Sequence, residues 1–110
     1  MKSKLIELTD ENFEEEVINS SIPVMVDFYA DWCGPCRSMT PALEDLSGEM
    51  EGSLKIGKVN IETTSLATKY SVSSIPSLFM FKNGEITERK TGLQNKKALI
   101  KLASGENNDE

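Results

Sequence analysis

Histidine is absent from this sequence and cysteine occurs only twice. Without histidine there is no imidazole to act as general base in a nucleophilic triad and none to ligate a metal. Two thiolates fill only half of a tetrahedral zinc site, so zinc would need carboxylates or a second chain. Long apolar runs are missing too, and nothing approaches the roughly 20 residues of a membrane-spanning helix. The first residues, Met1-Lys2-Ser3-Lys4-Leu5-Ile6-Glu7, hold two lysines but no apolar stretch before the first acid. A secretory signal is therefore not supported, although a chain already relieved of its signal would look the same. The default compartment is the cytoplasm, and no membrane partner is expected.

Basic residues are in the minority, 12 Lys and Arg against 18 Asp and Glu, for a formal net charge of -6. An acidic surface repels phosphate backbones, and no basic cluster interleaves with aromatics, so nucleic acid is not an expected ligand. The acids gather at 10–16 and at 106–110, where they serve solubility as a solvated surface. At 110 residues, 38% hydrophobic and 27% charged, the chain has the balance of one globular domain over 1–110. Its core is expected over about 4–103, with 104–110 a frayed acidic tail that has no apolar anchor.

Hydrophobic patterning supplies the elements. Residues 4–8 read as a short strand. Thr9 or Asp10 offers a helix-capping oxygen, and Phe13, Val17 and Ile18 give helical spacing over 10–19 before Ser20-Ser21-Ile22-Pro23 breaks it. Residues 24–30 are almost unbroken apolar, the pattern of a central strand covered on both faces. A helix follows from Cys33 or Gly34, with Met39, Leu43, Leu46 and Met50 forming one stripe. Pro41 lies inside it and should kink it, having no N–H to give. Gly52 and Ser53 end that helix.

Residues 54–61 read as a strand, 65–70 as a short helix and 77–81 as a further strand. Asn83-Gly84 is a strong hairpin signal, returning the chain over 85–91. A last helix over 96–103 turns Leu99 and Leu102 inward. Strands alternating with helices, then a hairpin, predict an α/β fold with a mixed sheet covered by helices on both faces. Phe13, Phe28, Phe79 and Phe81 are assigned to its core.

Both cysteines fall in Trp32-Cys33-Gly34-Pro35-Cys36, a C-x-x-C that reads as redox-active in this context. A structural staple and a shared metal remain as alternatives. As a staple it is poorly placed, since closing so short a loop constrains the unfolded chain by only about 2 kcal/mol, against nearly 5 for a loop of about 100 residues. Asp27, a carboxylate inside an apolar strand, is either turned outward or bonded to backbone, or else buried for a task. Lys58 by itself reads as a solvated charge, Trp32 as core, and Pro76 as an ordinary trans loop residue.

The pentapeptide after an apolar strand resembles the active site of thioredoxins. Asp27, Pro41, Lys58-Val59-Asn60-Ile61, Ser74-Ile75-Pro76, Phe81-Lys82-Asn83-Gly84 and Gly92 fall in matching order, so the resemblance covers residues 4–103. It implies a thioredoxin fold: a central mixed β-sheet flanked by four helices, ending in a β-hairpin and helix. It also implies reduction of protein disulfides by dithiol–disulfide exchange, with Cys33 as nucleophile and Cys36 as resolving thiol. The physics agrees. A free thiol with pKa near about 8.5 is mostly protonated at neutral pH, and the leading end of a helix stabilises the thiolate that exchange requires. A spacing of three sets Cys36 one turn on, along the same face.

The resemblance further implies that Asp27 is buried and accepts the proton of Cys36, with Lys58 beside it. Pro35 stiffens the loop at the first helical turn. The family's cis-proline corresponds to Pro76, with Ile75 offering backbone groups to an extended substrate. Trp32, adjacent to the thiols and followed by Gly34, would then edge a shallow apolar rim with Ile75 and Gly92. No bound cofactor or metal is implied beyond the Cys33–Cys36 disulfide itself. Partners would be disulfide-containing proteins and a thioredoxin reductase, NADPH- or ferredoxin-dependent, for a monomeric chain. Ser74, Ser77 and Glu62 depart from the family's usual glycine, threonine and aspartate; the serine at 74 could alter contacts to a reductase or substrate. Gly-Pro between the cysteines favours the reducing branch. An oxidase or isomerase on the same fold, and a non-catalytic partner-binding subunit, are the competing readings.

Overall fold

The computed structural model describes residues 5–105. Strands β1 (Ile6–Leu8), β2 (Val24–Tyr29), β3 (Lys55–Asn60), β4 (Ser77–Lys82) and β5 (Glu85–Thr91) form one sheet in the order β1-β3-β2-β4-β5. β3 runs parallel to both β1 and β2, whereas β4 runs antiparallel to β2 and β5. The mixed sheet is thus present, and β2 lies at its centre, as its uninterrupted apolar run predicts. All of Val24–Phe28 is buried.

Four helical segments cover the sheet: a π-helical turn at Glu14–Ile18, α1 (Gly34–Glu49), α2 (Leu66–Lys69) and α3 (Lys96–Ser104). One face carries Met39, Leu43 and Leu46 of α1 and Leu99 and Leu102 of α3, packed with Met25, Ile56, Leu78 and Met80. The opposite face carries Phe13 and Val17 from the first helical segment and Leu66 from α2, packed with Val26, Phe28, Val59, Phe79 and Phe81. All four phenylalanines are buried, at 3%, 0%, 4% and 1% exposure for Phe13, Phe28, Phe79 and Phe81. Alternate residues of β2 serve alternate faces, so Asp27 and Tyr29 stand on the same side as Met25, under α1.

Two details differ from the sequence pattern. The helix predicted over 10–19 shrinks to one turn, because Thr9 and Asn12 cap each other: Asn12 N–H donates to Thr9 Oγ1 (3.1 Å) and Thr9 N–H to Asn12 Oδ1 (2.7 Å). That folds the first residues into turns. The rest winds wide, with Asn19 N–H donating to the Glu14 carbonyl at 2.9 Å, a five-residue step. Asp10, the other candidate cap, instead accepts from the backbone N–H and hydroxyl of Ser65 and so fixes the start of α2. At the far end, Ser104 completes α3 rather than opening a tail, and Gly105 caps it in a left-handed conformation (φ 79°). Residues 1–4 and 106–110, including most of the expected tail, lie outside the described residues.

α1 runs on through Pro41 to Glu49. Pro41 is exposed, so the carbonyl it leaves without a helical donor, that of Arg37, lies on the solvent side. Asn83 (φ 52°) and Gly84 (φ 81°) make the two-residue hairpin turn that their sequence predicts.

Candidate active site

The end of β2 delivers the chain to the site. Ala30 accepts from Cys33 N–H at 3.1 Å, a tight turn that drops Cys33 onto the N-cap of α1. Cys33 is extended there (φ -89°, ψ 109°), and its Sγ accepts from Cys36 N–H at 3.1 Å. A sulfur therefore occupies the place where Ser or Asp oxygens normally meet the unsatisfied amides of a helix start. Gly34 and Pro35 fill the first helical turn, where a missing N–H costs nothing. Cys33 and Cys36 are joined as a disulfide, with Cα atoms 5.3 Å apart. Both are buried, at 5% and 3% exposure, in a small cluster with Ala30, against which Tyr29, Ile61 and Ile75 pack.

Asp27 lies deeper, at 0% exposure, and neither carboxyl oxygen has a hydrogen-bond partner. Burial pushes its pKa from 3.8 up to about 7, and the nearby Lys58 charge pulls it only partly back. Lys58 is the register partner of Asp27 on β3, yet its ammonium does not bond the carboxyl; it sits 4.2 Å from the centroid of the Tyr29 ring. A cleft of about 70 Å³ lined by Tyr29, Cys36, Arg37, Thr40 and Lys58 reaches the second cysteine. Since liquid water takes about 30 Å³ per molecule, the cleft admits water to that sulfur.

The remaining expected residues flank the disulfide on two sides. The Ile75–Pro76 peptide bond is cis, and Ile75 packs at the cysteine cluster. Pro76 is buried, and its carbonyl accepts from Gly92 N–H at 2.8 Å, which ties the end of β5 to the start of β4. Gly92 needs its lack of side chain for its positive φ of 89°, and no atom stands within 4 Å of where a Cβ would be, so its surface is open to a ligand. Trp32 stands apart from this group. It is 63% exposed and its indole N–H donates to Glu62 at 2.6 Å, on the β3 side. Trp32 is therefore no core residue.

Three residues at the site carried no signal of their own in the sequence. Glu62 holds Trp32, Arg37 donates to the Asp31 carbonyl at 2.6 Å, and Tyr29 bridges Lys58 to Glu7. Each acts across the fold or around a turn, where residue type and local spacing say nothing. Among the described residues, no three His, Cys, Asp or Glu side chains are grouped to hold a metal ion, and no helix is long and apolar enough to cross a membrane.

A C-x-x-C disulfide capping a helix, at the end of the central strand of a sheet of this order, defines a thiol–disulfide oxidoreductase. The thioredoxin family profile matches residues 4–104, and the chain belongs to that family. Its relatives include the thioredoxin of Rickettsia bellii, 48% identical over 84% of this chain and 90% of the relative. The thioredoxin of Buchnera aphidicola is 46% identical over 88% of this chain and 91% of its own. Thioredoxin C-2 of Corynebacterium nephridii is 43% identical over 84% and 86%, respectively.

Proposed function

We propose that this chain reduces disulfides in other proteins, with Cys33 as nucleophile, Cys36 as resolving thiol and Asp27 as acceptor of the Cys36 proton. The observation that carries the reading is the amide N–H of Cys36 aimed at Cys33 Sγ, at the end of a strand that holds a buried carboxyl with no partner. In the reduced protein the same donor meets a thiolate. Cys33 attacks one sulfur of the substrate disulfide, forms a mixed disulfide, and expels the other substrate sulfur as thiolate. Cys36 then loses its proton to Asp27 and attacks Cys33 Sγ. The internal disulfide forms, the second substrate sulfur leaves, and two electrons have passed to the substrate.

An acid with pKa about 7 is matched to such a transfer, since it exchanges protons near neutral pH. Cis-Pro76, Ile75 and Gly92 would receive an extended substrate strand on one side of the disulfide, with Trp32 covering the other. Recharging the disulfide needs two electrons from outside; a thioredoxin reductase, NADPH- or ferredoxin-dependent, is the proposed donor. The proposed setting is one monomeric domain in the cytoplasm, with no resident cofactor. The test is the reduction potential together with turnover on an insulin-type disulfide. A potential well above roughly −200 mV would instead mark an oxidant or isomerase. Full partner function in a Cys33→Ser/Cys36→Ser protein would mark a scaffold.

A further inference from the structure

Glu7, Lys58 and Asp27 occupy one row across three strands, Glu7 paired with Lys58 and Lys58 with Asp27. An ammonium thus lies between a surface carboxylate and a buried carboxyl. Nothing in that row alone decides which of the two it serves. Tyr29 decides it. Two residues beyond Asp27 on the same strand, its side chain rises on the same face. Its hydroxyl donates to Glu7 Oε2 at 2.9 Å, and the face of its ring carries Lys58 Nζ at 4.2 Å. Both Asp27 oxygens stay without a hydrogen bond.

We propose that Tyr29, anchored by Glu7, is a positioning residue that seats the Lys58 ammonium off the Asp27 carboxyl and so governs proton exchange at that acid. Lysine ends a flexible four-carbon stem, so whatever holds its head sets its distance to a neighbouring charge. A cation is attracted to an aromatic face within about 6 Å of its centroid. An ammonium brought within about 4–6 Å of a carboxyl lowers its pKa by about 1–3 units. Removing the seat therefore costs Asp27 its affinity for a proton at neutral pH.

The other polar groups around the seat are few. Asp31, past the end of β2, and Asn60, on β3, act on the Tyr29 phenol. Arg37 and Cys36 line the cleft from α1, and Leu78, facing Asp27 from β4, is apolar. The phenol itself is pushed up to about 12, by burial first and by Glu7 second, so it stays a neutral donor throughout the working range.

The consequence for catalysis rests on the role proposed for Asp27, but the seat can be tested without it. In the oxidised protein, where the cysteines do not titrate, the Asp27 carboxyl is followed against pH by isotope-edited infrared absorption. Tyr29→Leu is expected to lower its midpoint by about one unit or more. Tyr29→Phe, which folds on the same ring but loses the Glu7 bond, should shift it the same way by less. In a Lys58→Gln background the Tyr29 substitutions should leave the midpoint where Lys58→Gln alone puts it. An unmoved midpoint with Lys58 present overturns the proposal. So does an equal shift with Lys58 absent, which would mean that the ring only excludes water. If the midpoint moves while the pH profile of disulfide reduction does not, the seat stands and the catalytic role of Asp27 falls.

Discussion

The amide N–H of Cys36 donates to Sγ of Cys33 across 3.1 Å, so the two cysteines are chemically unequal before any substrate arrives. The first sulfur receives the positive end of α1, while the second sits a turn inside it. Helix-end interactions stabilise an adjacent anion by about 0.3–1 kcal/mol at exposed sites and up to about 2 in partly buried ones. Each 1.36 kcal/mol is about one pKa unit. Reduced Cys33 should therefore titrate below the free-thiol value of about 8.5 and react with iodoacetamide faster at pH 7 than a thiol in an unfolded peptide. Rates equal to that reference would remove the basis for assigning Cys33 as nucleophile.

The same inequality separates two serine variants. Cys33→Ser should abolish reduction of an insulin-type disulfide, because it is Cys33 Sγ, not that of Cys36, that receives the helix-start amide which stabilises a thiolate. Cys36→Ser should still attack but not release, leaving a covalent complex that survives denaturation and dissolves in dithiothreitol. Gel electrophoresis with and without reductant reads both. Mixed disulfides accumulating on Cys33→Ser instead would reverse the assignment.

Most of the frame is legible in the sequence, for reasons that are local. The apolar run at 24–30, the stripe Met39, Leu43, Leu46, and Asn83-Gly84 each carry their geometry in a short window. What was not legible came from long-range pairing. Thr9 and Asp10 are both good caps, and only the position of Ser65, 55 residues on, shows which end Asp10 serves. The Glu7–Lys58–Asp27 row exists only once two parallel strand pairs take their register, and parallel register has no turn to set it. Tyr29 and Glu62 have no chemistry of their own until that packing is in place.

Trp32 is the sole tryptophan, so its surroundings can be watched without interference. Its indole bond to Glu62 holds an exposed ring at the edge of the site. In Glu62→Ala the ring should lose that restraint, lowering fluorescence anisotropy of the Trp32 side chain. Global stability should change by no more than about 0.5 kcal/mol, as both partners are at the surface. KM for a protein disulfide should rise more than kcat falls, since the role proposed for the ring is to cover substrate, not to act on the reacting sulfurs. A fall confined to kcat would place Glu62 in the chemistry instead.

Gly92 joins two demands, a φ of 89° and an amide that donates to the Pro76 carbonyl at 2.8 Å. Gly92→Ala adds a side chain into open space, so any cost comes from the backbone alone, about 1–2 kcal/mol for a left-handed residue. Denaturant melts should show that loss, and Gly92→Val should add a drop in substrate affinity by covering the open surface. Unchanged stability for both would mean that the loop relaxes and the φ is not required.

Asp27 links the site to the stability of the whole domain. Its folded pKa of about 7 exceeds the unfolded value of 3.8, so the native state binds the proton more tightly than the unfolded chain. Stability from this group is fully present below pH 3.8, declines as pH rises, and is gone above about 7. The whole span corresponds to about 4 kcal/mol, of which about 2–3 falls between pH 5 and pH 8. Asp27→Asn has no proton to lose, so its stability relative to the native protein should improve by that amount across the same interval. The comparison is of slopes, which cancels the fixed cost of burying an amide without partners. Urea melts at both pH values in the oxidised form measure it without interference from the thiols. Parallel stability curves for the two proteins would mean that Asp27 titrates alike folded and unfolded, and a carboxylate with its ordinary pKa of 3.8 is too weak a base to hold the Cys36 proton at neutral pH.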